Sequence, residues 1–305
     1  MAEGFPSRGA FVWLDGKFVT EAEANVSVFT HALHYASSVF EGERAYDGKI
    51  FKSAAHTQRL INSARILDFE IPYSFEEIEA AKVQTVAKNG DPNAYVRAIA
   101  WRGSEALGVS AQKNKIHLAI TSMDWGRYFD PVQRMKGLRL DIAEYRRPDP
   151  KTAPSAAKAA GLYMICTISK HKAERKGYAD ALMLDWQGRV AETTGANIFF
   201  IKDGVIHTPI ADCFLDGITR QVVIDLARRR GFEVEERRIM PDELRSFVEC
   251  FLTGSAAEVS PVSEIGPYKF AVGNMTKVLM EDYAQEVRGQ KPASGNQKPE
   301  IKKAC

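Results

Sequence analysis

Apolar and polar residues recur along this chain in segments short enough to be read one element at a time. Phe11-Val12-Trp13-Leu14 and Lys17-Phe18-Val19 flank Asp15-Gly16, which predicts two short strands around a tight turn. From Ala54 to Phe69 the residues Leu60, Ile61, Ala64, Ile66 and Leu67 recur at helical spacing, with Arg59 in the middle of that helix. Ser74-Phe-Glu-Glu77 is a capping box and opens a second helix that stops at Asn89-Gly90. Ala94 to Trp101 alternates, so Tyr95, Arg97, Ile99 and Trp101 share one face of a strand. An arginine on a face with three aromatic or apolar residues is costly unless it meets an anion, either a structural acid or a substrate carboxylate.

Ile116–Ser122 and Leu138–Tyr145 read as further strands, and the irregular run between them marks an inter-domain connection at 127–136. Gly161–Arg175 reads as a helix stopped by Gly177. Asp180–Asp185 and Arg189–Glu192 form a hairpin around Trp186-Gln187-Gly188, followed by a strand at Ile198–Lys202. Gly217-Ile218-Thr219 runs into a helix, Gln221–Arg230, and a last helix spans Asn274–Arg288. The expected layout is a small domain over 1–126, the connection, a larger domain over 137–288 and a flexible tail over 289–305.

With 305 residues, 45% apolar and 26% charged, the chain is long enough for two moderate domains. A net charge of +2 with both signs interspersed gives no nucleic-acid or membrane-surface footprint. Cys166, Cys213, Cys250 and Cys305 lie far apart, which argues against a zinc site or a disulfide framework and for a reducing compartment. His31 and His34 have no third metal ligand nearby, so hydrogen bonding is the better reading and no metal is expected. A soluble, cytoplasmic protein is expected.

Chemistry gathers on Lys158, which stands between Ala156-Ala157 and Ala159-Ala160 with Gly161 beyond, so a flat molecule can approach its amine. Bringing such an amine from its usual pKa of ~10.4 to neutrality takes about 3 units, roughly 4 kcal/mol of desolvation or neighbouring charge. Glu192 ends a strand beside the turn Thr193-Thr194-Gly195-Ala196, placed to face a pocket. Gly217-Ile218-Thr219 offers backbone N–H groups and a hydroxyl at a helix start, and Gly254-Ser255-Ala256-Ala257 is a second small-residue turn. Two such nests suit a ligand with two anionic ends.

These pieces occur in a telling order. His31-Ala-Leu-His34-Tyr35, Val39-Phe40-Glu41-Gly42, Tyr95-Val96-Arg97, Ala-Ala-Lys158-Ala-Ala-Gly161, Glu192-Thr-Thr-Gly-Ala-Asn197, Gly217-Ile218-Thr219-Arg220 and Gly254-Ser-Ala-Ala-Glu258 closely resemble the branched-chain amino acid aminotransferases of pyridoxal-phosphate fold type IV, over about residues 10–288. The resemblance implies an α+β fold with a small N-terminal α/β domain and a larger C-terminal pseudo-barrel. It implies Lys158 as the amine joined to pyridoxal 5'-phosphate and as the acid/base at Cα, with Glu192 on the pyridine nitrogen. Arg59, Ile218, Thr219 and Ser255 would hold the phosphate, and Tyr163 would stand near the phenolic oxygen. Tyr95, Ser255 and Ala256 would receive the α-carboxylate. Phe40, Trp125, Tyr128 and, from a neighbouring subunit, Tyr35 and Val109 would wall an apolar pocket in which Arg97 accepts an acidic side chain.

The implied reaction moves the amino group of L-leucine, L-isoleucine or L-valine to 2-oxoglutarate in a homo-oligomer, a dimer or a hexamer. D-amino acid aminotransferases, (R)-selective amine transaminases and aminodeoxychorismate lyases share the lysine and the glutamate. Tyr95-Val96-Arg97 with Phe40, Gly42 and Arg44 is what favours an L-amino acid pocket. A non-catalytic carrier of the cofactor and a phosphate-binding structural module are the readings from other classes. Two departures from the family pattern stand out: Asp216 where proline often precedes the Gly-Ile-Thr turn, and Ser255 where threonine is common.

Overall fold

A computed structural model describes residues 7–124 and 135–290. These residues pack as two units that interleave along the sequence. The first takes 7–124 together with Pro154–Tyr163, and the second takes 135–153 and Met164 onward. A second domain running unbroken from 137 to 288 does not describe this, because the lysine stretch packs with the first unit. Trp125, Tyr128, most of the connection placed at 127–136 and nearly all of the tail, Cys305 included, lie outside the described residues.

In the first unit an antiparallel sheet runs in the order Lys17–Thr20, Phe11–Leu14, Ile116–Asp124, Tyr95–Arg102, Glu43–Tyr46 and Lys49–Ile50, with Ser38–Phe40 also paired to Tyr95–Arg102. The alternation of Tyr95–Arg102 sorts its side chains as its sequence predicts. Val96, Ala98 and Ala100 enter a core with Leu60, Ala64, Ile78 and Val86 from the helices Ser53–Ile66 and Phe75–Asn89. Ile99 and Trp101, on the opposite face, line a largely apolar cavity of about 460 Å³. The capping box forms: Ser74 Oγ accepts from Glu77 N at 3.2 Å and Glu77 Oε2 from Ser74 N at 2.7 Å. Such a cap contributes ~1 kcal/mol. The first helix stops at Ile66, short of Phe69, because Asp68 turns left-handed (φ 58°) and sends Phe69 N back to Ala64 O at 3.1 Å. Phe69 joins the core without joining the helix.

The second unit carries a sheet in the order Val190–Thr193, Asp180–Leu184, Leu138–Ile142, Glu258–Ile265, Glu249–Gly254, Asn197–Lys202, Val205–Pro209 and Glu233–Arg237. Leu138–Ile142 runs parallel to both of its neighbours, as does Val205–Pro209 to Glu233–Arg237. That strand ends at Ile142 and not at Tyr145, because Glu144, Tyr145 and Arg146 leave the sheet for solvent. Asn197–Lys202 is covered on both faces: Ile198 and Phe200 pack with Leu252 and Phe247, while Phe199 stacks on Phe251 with ring centroids 4.9 Å apart. The helices Ile218–Arg229 and Asn274–Glu286 pack against Glu249–Gly254 and Glu258–Ile265. Residues read as one helix over 161–175 divide into a 3-10 turn, Ala160–Tyr163, in the first unit and a helix, Met164–Arg175, in the second. Cys166, Cys213 and Cys250 are buried thiols, and burial pushes Cys166 up to about 11 and Cys213 up to about 12. Among the described residues no helix is long and apolar enough to cross a membrane.

Candidate active site

In the first unit the run Val39-Phe40-Glu41-Gly42-Glu43 crosses the sheet and distributes its side chains alternately. Phe40 is a hub: its ring centroid lies 5.0 Å from Lys158 Nζ, 4.9 Å from the Tyr163 ring and 4.6 Å from Arg97 Cζ. Two residues on, a Cβ at Gly42 would stand 1.9 Å from Tyr95 Oη, so glycine is what admits the tyrosine. Tyr95 Oη in turn accepts from Arg97 Nη2 at 3.2 Å. Arg97 has no carboxylate partner among the described residues, and the rings of Phe40 and Tyr95 take its charge.

Lys158 is tied by its backbone to two elements of the same unit. Its N–H donates to Ser63 Oγ at 3.0 Å, its carbonyl accepts from Phe40 N at 3.1 Å, and Ala159 bridges to Val39. Its chain neighbours Ala157 and Ala159 are buried, and its Nζ, beside the Phe40 and Tyr163 rings, donates to Tyr163 Oη at 2.9 Å.

The alternate positions, Glu41 and Glu43, are fully buried carboxylates aimed at the helices. Arg59 grips Glu41 side-on, Nε to Oε1 at 2.6 Å and Nη2 to Oε2 at 2.8 Å, and His56 Nδ1 donates to Oε2 at 2.7 Å. Burial opposes ionisation of Glu41, but the charge and hydrogen bonds of Arg59 outweigh it and hold the carboxyl well below its ordinary value. Lys82 Nζ lies 2.8 Å from Glu43 Oε2; there burial wins and raises the carboxyl against the pull of His56 and Lys82.

The second unit gathers the remaining polar elements around Asn197. Glu192 pairs across the hairpin with Met183, and its Oε1 forms an ion pair with buried Arg147 Nε at 3.3 Å while Oε2 accepts from Asn197 Nδ2 at 3.3 Å. The same amide donates to Leu215 O at 3.0 Å, and a Cβ at Gly217 would fall 2.1 Å from Asn197 Oδ1. One asparagine thus couples the acid to the start of helix Ile218–Arg229, where Gly217 supplies no capping side chain and leaves the first N–H groups to an anion. Asp216 turns its carboxylate to Arg220 (2.8 Å) and Gln221 (3.1 Å), which explains why an acid is tolerated beside such a site. Asn197 faces Thr253 across the sheet, and a Cβ at Gly254 would stand 3.6 Å from Ala196 Cβ, so the turn that leads to Ser255 and Ala256 starts beside the same cluster.

Within the first unit, then, the structure brings together Phe40, Tyr95, Arg97, Lys158 and Tyr163, with Arg59 anchored to the residue after Phe40. Within the second it brings together Glu192, Ile218, Thr219, Ser255 and Ala256. Tyr35 and Val109 stand exposed at 46% and 81%; Tyr35 stacks on His31, whose Nε2 meets Gly108 O at 3.0 Å, so they share one surface. His31 and His34 are spent on hydrogen bonds, to Ser37 Oγ and Gly108 O and to Val28 O. Sequence reasoning missed Arg147, Glu41 and His56. A signal for Arg147 was present: Pro148 forces the residue before it into extended backbone, so Arg146 and Arg147 must face opposite ways and one of them inward.

Comparison with known proteins converges on the same reading. The family model described as amino-transferase class IV matches residues 38–265. The "Probable branched-chain-amino-acid aminotransferase" of Rickettsia bellii is 42% identical over 286 residues, 92% of this chain and 96% of that protein. The crystal structure of the T.th. branched-chain amino acid aminotransferase with pyridoxamine 5'-phosphate superposes with a TM-score of 0.90 at 39% identity, over 94% of this chain and 96% of that one. The same enzyme complexed with N-(5'-phosphopyridoxyl)-L-glutamate gives 0.89 at 38% over the same shares. The α+β type IV fold anticipated from the motifs is the fold these structures share, and the chain belongs to the class IV amino-transferase family.

Proposed function

We propose that this chain transfers the amino group of L-leucine, L-isoleucine or L-valine to 2-oxoglutarate, giving the branched 2-oxo acids and L-glutamate, with pyridoxal 5'-phosphate as cofactor. The carrying observation is the arrangement about Phe40, where an amine, a phenol and a guanidinium with no carboxylate partner among the described residues meet one aromatic ring. The residues present fit the cofactor: a lysine amine held by a phenol, an acid steadied by Arg147 and Asn197, an arginine with N–H groups to spare and an uncapped helix start.

When bound, pyridoxal phosphate supplies the electron sink for the pair left as Cα loses its proton. Lys158 Nζ would hold the cofactor covalently until the substrate amine displaces it, and the freed amine would then move the proton at Cα, oriented by Tyr163 Oη. Glu192 keeps a proton on the ring nitrogen. Arg59, the backbone of Ile218, Thr219 and Ser255 bind the phosphate, at about 1.5–3 kcal/mol for each charge-assisted hydrogen bond. Tyr95, Ser255 and Ala256 take the α-carboxylate, Phe40 packs on the branched side chain, and Arg97 receives the second carboxylate of glutamate. That the T.th. relative binds a phosphopyridoxyl adduct of L-glutamate supports the acidic half-reaction. The surface shared by Tyr35 and Val109 supports a homo-oligomer, a dimer or a hexamer, in which both reach a neighbour's pocket.

Borohydride reduction of the full-length protein followed by peptide mapping tests the reading. A pyridoxyl group is expected on Lys158 and absent in Lys158→Ala; a label elsewhere overturns it. Initial rates with L-leucine, D-alanine and (R)-1-phenylethylamine decide against the sister activities, with L-leucine expected to be the fastest.

A further inference from the structure

We infer that Glu41, braced by His56, is a positioning residue that fixes the direction in which Arg59 offers its N–H groups to the cofactor phosphate. The inference rests on the reading that Arg59 meets that phosphate, and goes beyond it by asking what a fully buried acid is doing beside a cation meant for an anion.

By charge alone Glu41 is the wrong neighbour, since it opposes the approach of a phosphate and cancels the arginine that would bind it. Its geometry accounts for its presence. Arg59 sits mid-helix on a long side chain that samples many rotamers unless it is held. Glu41 takes the Nε–Nη2 edge of the guanidinium, at 2.6 and 2.8 Å, so both the plane and the rotation of the group are set. Of its five N–H groups two are consumed, and the other three carry no hydrogen bond among the described residues.

The carboxylate is itself immobilised. Oε2 accepts from His56 Nδ1 at 2.7 Å and from Gly42 N at 3.3 Å as well as from Arg59. His56 and Arg59, three positions apart on one helix, share a face and hold Glu41 between them. The Lys82–Glu43 pair, two residues along the chain from Glu41, is fully buried too, and the two carboxylates act on each other electrostatically. The three remaining N–H groups of Arg59 are therefore fixed in one plane, on the edges that Glu41 does not take, and the side chain keeps 18% of its surface accessible.

Titration of the cofactor-free full-length chain with pyridoxal phosphate and, separately, with pyridoxal measures this. The two ligands share the aldehyde and the ring and differ in the phosphate. In Glu41→Gln, and in Glu41→Asp, which keeps the charge but is too short for the side-on grip, the Kd for pyridoxal phosphate should rise about tenfold or more, ~1.4 kcal/mol per decade, with pyridoxal binding held within about threefold. Retained pyridoxal binding reports a folded protein. An unchanged or smaller ratio of the two constants in the folded variants overturns the inference, as does an equal loss of both ligands, which marks a packing role. Arg59→Gln separates the two claims. If it raises the ratio while both Glu41 variants do not, only the positioning role falls; if it leaves the ratio unchanged, the assignment of Arg59 to the phosphate falls, and the positioning role with it.

Discussion

Replacing Arg97 with methionine isolates the feature that lets one pocket serve two unlike side chains. Methionine keeps an unbranched apolar stem and removes only the guanidinium, which rests 4.6 Å from the Phe40 centroid and donates to Tyr95 Oη at 3.2 Å. If Arg97 accepts the distal carboxylate of glutamate, its loss removes a charge-assisted contact of ~1.5–3 kcal/mol, roughly 10–150-fold in the rate constant at sub-saturating amino acid. The branched substrates make no use of that charge. Their half-reaction loses a cation–π contact of ~0.5–1 kcal/mol with Phe40 and the hydrogen bond to Tyr95 Oη, ~0.5–1.5 kcal/mol, but the L-glutamate half-reaction loses both as well, so the difference between the two amino acids isolates the charge-assisted contact. The assay is single-turnover: the aldehyde-form absorbance of the holoenzyme is followed after mixing with L-leucine or L-glutamate. A selective fall with L-glutamate is expected. Equal losses with both amino acids would refute the argument and make Arg97 a general support for the pocket.

Gly42→Ala should destabilise by about 1–3 kcal/mol in denaturant melts, because its Cβ meets Tyr95 Oη at 1.9 Å. The same substitution in a Tyr95→Phe background should cost less, since the nearest contact then becomes the ring carbon at 2.8 Å; strict additivity would count against the clash. Gly217→Ala should displace Asn197, whose Oδ1 lies 2.1 Å from the new methyl, and weaken cofactor retention on dialysis more than Gly195→Ala, where a Cβ meets nothing within 4 Å. Burial works against the Glu41 carboxylate and Arg59 more than offsets it, so the carboxyl stays below its ordinary value; the stability it contributes is present above its unfolded value of ~4.3 and lost as pH falls below it. The difference in unfolding free energy between wild type and Glu41→Gln in the cofactor-free chain should therefore be widest near pH 7, up to about 3–5 kcal/mol for a broken buried pair, and close on acidification. A difference independent of pH would mean that the ion pair contributes nothing.

What could be read in advance was local. The helix at Phe75–Asn89 announced itself through Ser74 and Glu77, and the strand Tyr95–Arg102 through alternation, because each signal lies within a few residues of what it specifies. Lys158, Glu192 and the turn at Gly217 were legible because unusual residue types sit beside small ones. What escaped depends on contacts between residues far apart in the chain. Ser38–Phe40 and Glu43–Tyr46 are too short for a period to show, and they place two acids, Glu41 and Glu43, where an apolar residue is the usual occupant. Their sense lies in His56 and Arg59 on one helix and Lys82 on another. Pro148 hints that Arg147 turns inward, but its partner Glu192 lies far along the chain, and the membership of Lys158 in the first unit shows only in its bonds to Ser63 and Phe40.

That membership bears on how the chain is made. During synthesis the first unit emerges with its sheet and both helices by Asp124, yet the segment that pairs with Val39 and bonds to Ser63 leaves the ribosome some thirty residues later, roughly 2–6 s at ~5–20 residues per second. Until then Ser38–Phe40, paired with Tyr95–Arg102 on one side, lacks its native neighbour on the other, so the Lys158 amine is installed as the closing step of a unit already largely assembled around its place.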